Sequence, residues 1–127
     1  MVNRTRQQIV GDDGEHLVAD ELIKRGWQRV RLLRRNAPDY DLRAIGHDGW
    51  PIAVQVKTCS TGRSWSPPSG LRINSRRAFL IFVRTDGGAP RYWVIPSTEL
   101  AKLKELGRGQ RQKYIQRYAG AWHLLAG

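Results

Sequence analysis

The chain has 127 residues, 40% of them hydrophobic, which suits one domain with one core and argues against global disorder. No apolar run approaches the roughly 20 residues that span a bilayer, and "MVNRTRQQIV" lacks the apolar stretch of a secretory leader. A lone Cys59 excludes an internal disulfide and a multi-cysteine zinc site, and it is expected to be a small buried strand residue in a reducing cytoplasm. The charge is lopsided: 22 Lys plus Arg against 11 acids give +11, and 17 of the 22 are Arg. The planar guanidinium fork matches phosphate, so the excess points to a polyanionic partner, most simply nucleic acid. A GC-rich genome also enriches Arg, so charge alone does not identify that partner.

In chain order, residues 1–9 read as a frayed basic lead-in. "DGEHLVADELIKR" reads as a helix from Asp13 to Arg25, with Asp12 as its N-cap and Glu15 completing a capping box. Leu17, Val18, Ala19 and Leu22 form its apolar stripe, and Gly26 stops it. Strands follow at Trp27–Arg35, Tyr40–Gly46 and Trp50–Ser60, separated by "NAPD" and "HDG" turns. Residues 61–70 have loop composition. "AFLIFVRT", Ala78 to Thr85, is the clearest buried strand, and it forms a hairpin with "RYWVIP". "STELAKLKEL" predicts a helix capped by Ser97 or Thr98. The C-terminal stretch predicts a short helix or turn, after which Trp122, Leu124 and Leu125 dock on the core. Helices and strands along the chain predict an α/β fold over residues 1–127 as one domain.

Turn chemistry predicts which residues meet. A three-residue "HDG" loop with Gly49 in the left-handed conformation pairs Gly46 with Trp50, so opposed residue numbers sum to 96. Leu42 then meets Val54 and Ala44 meets Ile52 on an apolar face, while Asp41 meets Gln55 and Asp39 meets Lys57 on the other. A two-residue loop makes the sum 97 and mixes polar with apolar residues on both faces, so the hydrophobic pattern selects the longer loop. Glu15 shares a helical stripe with Val18, Ala19 and Leu22 and so faces the sheet from the first helical turn. A carboxylate and an amide oxygen this close suit a hard cation such as Mg²⁺, and a lysine beside them can hold a water or neutralise a phosphate. Each residue has a plainer reading: Glu15 as part of a cap, Lys57 as an edge-strand guard, Asp41 as half of an arginine ion pair.

These residues carry a resemblance. "GDDGEHLVADELIKRGW", followed by "PDYDL" and "VQVKT", resembles the PD-(D/E)xK nuclease superfamily, most closely its Holliday-junction-resolvase-like and Mrr-like branches. The resemblance spans residues 11 to about 60 and implies a restriction-endonuclease-like fold, a central mixed sheet flanked by helices, and metal-dependent phosphodiester hydrolysis. It implies Asp41, Gln55, the Val56 carbonyl and Glu15 as ligands of Mg²⁺ or Mn²⁺, with Lys57 as the catalytic lysine. Gln55 departs from the usual Asp or Glu; its amide keeps an oxygen but carries no charge. The family's helix after the lysine strand has no clear counterpart in residues 61–76, which are rich in Gly, Ser, Pro and Arg.

Arg34, Arg35, Arg63, Trp65, Arg72, Arg76 and Arg77 flank the site in sequence and are the expected nucleic-acid contacts. No helix-turn-helix, zinc finger or RNP-type motif supports sequence-specific reading. The function expected is a metal-dependent endonuclease acting on nucleic acid, with DNA the first choice and a homodimer implied by family analogy. A nuclease-fold binding module whose metal site Gln55 has weakened, and a subunit or toxin-like effector with a separate partner, stand as the other readings.

Overall fold

A computed structural model of the chain describes residues 6–33, 40–59, 77–86 and 88–126, with side chains from residue 14 onward. It is α/β: one five-stranded mixed sheet with helices on both faces. Helix α1 spans Arg6–Lys24, and strands β1 Gln28–Leu32, β2 Leu42–Ile45, β3 Pro51–Cys59, β4 Ala78–Arg84 and β5 Arg91–Pro96 follow. The C-terminal third adds a 3-10 turn at Ser97–Glu99, α2 Leu100–Glu105, α3 Arg108–Ile115 and 3-10 turns at Gln116–Tyr118 and Trp122–Ala126. Strand order equals chain order, and only β3 and β4 run parallel. A parallel pair needs a crossover, and this one passes through residues 60–76, outside the described residues. Among the described residues no helix is long and apolar enough to cross a membrane.

The hairpin register is the expected one. Leu42 pairs with Val54 and Ala44 with Ile52, Gly49 has φ +80°, and the Gly46 amide donates to the Trp50 carbonyl at 3.2 Å. These four paired side chains are buried beneath α1, which adds Val18 and Leu22 from its stripe. The same core takes Phe79, Ile81 and Val83 from β4 and Trp122 and Leu125 from the C-terminus. Gly120 donates to the Tyr92 carbonyl at 2.8 Å, and Tyr92 meets Trp122 edge-on at 5.1 Å, which docks the tail as expected. A second core lies on the other face, where Leu80, Phe82, Trp93 and Ile95 pack against Leu100, Leu103 and Ile115 of α2 and α3. Cys59, a partly buried thiol outside any disulfide, lies at its margin.

Three local expectations need correction. The first helix begins at Arg6 rather than Asp13, so residues 6–9 of the lead-in are helical and Asp12 lies inside the helix, not at its cap. Glu15 consequently faces the sheet from about the third turn. The second helix starts through a 3-10 turn after Pro96, so Pro96 and Glu99 take the cap positions expected of Ser97 or Thr98, and Ser97 is buried. The third strand begins at Pro51, leaving Trp50 outside the ladder and 63% exposed.

Candidate functional site

The site forms where β2 ends and β3 continues. Described pairing of β3 with β2 stops at Val54, while pairing with β4 runs on to Cys59. Asp41 stands just before β2, and its amide donates to the Val54 carbonyl at 2.8 Å instead of pairing squarely with Gln55. The shift turns its side chain into the plane of the sheet. There the Asp41 Oδ2 accepts the Val56 amide at 2.7 Å, taking the place of a ladder partner. A strand residue directs its N–H and C=O to the same edge, so the Val56 carbonyl faces the same gap.

The gap joins the two sheet faces. From the α1 side, Glu15 reaches the Asp41 carboxyl in a side-chain hydrogen bond. From the other face come Gln55 and Lys57, which share it through the alternation of β3. Lys57 is exposed and close enough to act electrostatically on Asp41. The Gln55 Oε1 is buried and has no hydrogen-bond partner. Such an orphan is costly in a folded protein, and it leaves the Gln55 oxygen able to accept from water or from a bound group.

Asp41 shows the same incompleteness. Burial pushes its carboxyl above the ordinary value of 3.8, against the lowering pull of the Val56 amide, Glu15 and the Lys57 charge. Two carboxyl groups sharing one hydrogen bond cannot both ionise cheaply unless a cation joins them. The Asp41 and Glu15 carboxyls, the Gln55 amide oxygen and the Val56 carbonyl are all oxygen donors, the type that suits Mg²⁺ or Mn²⁺. Among the described residues no group of three or more His, Cys, Asp and Glu side chains converges, so Gln55 and the Val56 carbonyl must complete any such set.

One glycine permits this arrangement. A Cβ at Gly14 would fall inside the Thr58 side chain, 2.9 Å from its Cβ and closer still to its hydroxyl. Only a hydrogen lets α1 approach β3 this closely, one residue before Glu15. The helical motif contained the glycine, but its role depends on a contact 44 positions away (Gly14 to Thr58), which spacing within the helix cannot reveal.

The plainer readings of the site residues meet specific obstacles. With α1 starting at Arg6, Glu15 is not in a capping box. β3 is the middle strand of five, although among the described residues its pairing with β2 ends at Val54, before Lys57. Asp41 is met by an amide, Glu15 and Lys57, and by no arginine among the described residues. Of the expected nucleic-acid contacts, Arg34, Arg35, Arg63, Trp65, Arg72 and Arg76 lie outside the described residues, as does Asp39. Arg77 lies at the far end of β3, where its Nε donates to the Pro51 carbonyl at 3.1 Å and its Nη2 pairs with Asp48 at 3.1 Å. It clamps the hairpin turn. A cavity of about 260 Å³ there, lined by Trp27, His47, Asp48 and Arg77, contains none of the other site residues.

The domain is thus a mixed-sheet α/β fold with a polar gap between its second and third strands. That fold is shared with a solved bacterial homing endonuclease, I-Ssp6803I, at a TM-score of 0.65 and 21% identity over 95% of this chain and 93% of that one. No family model matches the chain, and no curated protein matches it.

Proposed function

We propose that the protein is a metal-dependent endonuclease of the PD-(D/E)xK type, resolvase-like or Mrr-like in its motif order, acting on DNA. The observation that carries this reading is the Asp41 carboxylate, fixed in the sheet plane by Val56 N–H and facing Glu15, beside the unpartnered Gln55 oxygen. The likeness to a homing endonuclease supports the same class. Asp41, Gln55, Glu15 and the Val56 carbonyl would hold Mg²⁺ or Mn²⁺, which when bound supplies Lewis-acid polarisation of a phosphate and a more acidic water. The Val56 amide holds Asp41 in one rotamer, and Glu15 holds or accepts a proton beside it. Lys57, exposed on the same strand, positions a water with its ammonium and offsets charge on the phosphate oxygens. A chain of this size covers little of a duplex, which favours action as a homodimer.

The test is cleavage of duplex DNA with Mg²⁺ or Mn²⁺ against EDTA, together with metal titration by calorimetry. The wild type should cleave only with metal, and Lys57→Ala should lose on the order of 10²-fold or more in rate. Gln55→Glu should bind metal more tightly, since it adds a charge without altering reach. If the wild type cleaves no better than Lys57→Ala and binds DNA equally with and without metal, the enzyme reading fails. The uncharged Gln55 then marks a binding module.

A further inference from the structure

Among the described residues, one face of the sheet has no helix packed on it over β1–β3. α1 packs beneath β1–β4, and α2 and α3 cover only β4 and β5 on the opposite side. The remaining face of β1, β2 and β3 carries Arg29, Arg31, Arg43 and Lys57, all exposed. None of the residues in these three strands is acidic. Arg31 and Arg43 are directly paired across the strands. Like charges placed opposite each other, with Cβ atoms roughly 5 Å apart, destabilise a sheet. No ion pair among the described residues relieves them; the described pairs lie at Glu21, Asp48 and Asp86.

The backbone contributes to this gathering of charge. β1 slips register between Gln28 and Arg31, and Arg29 takes φ +50°. A non-glycine residue in that region is strained and needs a reason. The irregularity keeps Val30 against the α1 core while Arg29 and Arg31 both border one concavity of about 270 Å³ with Arg43. Bulges re-aim side chains in this way.

We infer that this open face of β1–β3 binds the sugar–phosphate backbone of duplex DNA, with Arg29, Arg31 and Arg43 as phosphate contacts leading toward Lys57. This deepens, and rests on, the reading of the protein as a DNA-acting enzyme. The spacing is suitable. Arg43 pairs with Ala53, four residues before Lys57 and therefore about 13 Å along β3. That is about four nucleotide steps of rise along one strand of a duplex. The face supplies charge without a pattern of amides or hydroxyls for base edges, so its contribution is positional and independent of sequence.

The experiment is fluorescence anisotropy of a labelled duplex of about 25 base pairs with the full chain in EDTA, over a salt series. The pair Arg31→Gln/Arg43→Gln is compared with wild type and with Lys104→Gln on α2. The double variant should bind at least tenfold more weakly near 100 mM salt, with the slope of log K against log salt reduced by about two. Lys104→Gln should leave the slope unchanged. Circular dichroism and a thermal midpoint at or above that of wild type separate lost binding from lost folding. Equal losses in the double variant and the Lys104→Gln control, or an unchanged slope, overturn the inference, as does a wild type that binds no duplex at low salt. Because binding is read without metal, the two readings fail separately. Lost affinity without any cleavage by the wild type retains the face and removes the nuclease, whereas cleavage with unchanged affinity does the reverse.

Discussion

The two halves of the sheet solve opposite problems. At β4 and β5 both faces are covered: Ala78 to Val83 are all buried, and successive side chains alternate between the α1 core and the α2–α3 core. At β1 to β3 only one face is apolar, and the other carries arginines, Gln55 and Lys57. The first half stabilises the domain and the second presents chemistry on it. The boundary is sharp. Lys57 pairs directly with Phe82, so an exposed ammonium on β3 stands beside one of the largest fully buried side chains on β4. A site at such a boundary obtains a rigid support without being enclosed by it.

The largest effect should come from the covered half. Phe82 is 1% exposed and central to the α2–α3 core. Phe82→Ala should cost about 3–5 kcal/mol in urea unfolding. An Arg43→Ala change on the open face should cost a small fraction of that. Comparable losses at the two positions would break the distinction between the halves.

Gly14→Ala should come next, at about 1–3 kcal/mol. Alanine improves helix propensity by at most about 1 kcal/mol, but its Cβ must displace Thr58, whose β-branched side chain has little freedom. The sign is therefore destabilising. Thr58→Ala in the same chain should restore most of the loss, and a double-mutant cycle reads that coupling. The same variant should weaken metal binding, since Glu15 is the next residue.

Much of this was legible before any coordinates. The "HDG" loop set the hairpin register, and with it the apolar pairs Leu42–Val54 and Ala44–Ile52, because period-two patterning and turn length agree there. Motif order anticipated that Asp41 meets Glu15 and Lys57. What the pattern could not reveal was how Asp41 gets there. Regular pairing sets it opposite Gln55 on one face, whereas the ladder breaks and the carboxylate turns into the sheet plane onto Val56 N–H. Alternation describes unbroken strands, and a site made at a break lies beyond it. The helix start was missed because Asp12 and Glu15 fit a cap locally, while the continuous helix from Arg6 depends on no local signal. The pairing of Arg31 with Arg43 has no signal in "QRVRL", because it depends on a register slip in β1 that local sequence does not set.

Asp41 offers a subtler contrast, in pH. Its carboxyl is raised, chiefly by burial, so the folded protein binds a proton there more tightly than the unfolded chain does. Stability from this group is present at low pH and falls as pH rises from about the ordinary value of 3.8 through the raised one. In metal-free buffer, Asp41→Asn should abolish that decline while its amide oxygen still accepts from Val56 N–H. At neutral pH the variant should melt no lower than wild type. Thermal melts in EDTA from pH 3 to 8 would show it. A difference in stability between wild type and Asp41→Asn that stays constant across that window would contradict the desolvated carboxyl.

The smallest effect is the most telling about the open face. Arg31 and Arg43 are paired, exposed and of one sign, so removing one charge should stabilise the free protein. For exposed groups the gain should fall near the low end of the roughly 0.2–1 kcal/mol typical of cross-strand pairs, and salt should screen it away. Arg31→Gln should therefore unfold slightly later than wild type in urea at low salt and indistinguishably at 0.5 M. Its affinity for duplex DNA should move the other way, falling at low salt. Opposite signs in stability and binding from one substitution are what a surface held against its own repulsion for a polyanion must show. Loss of both together would mean that Arg31 serves the sheet and not a ligand.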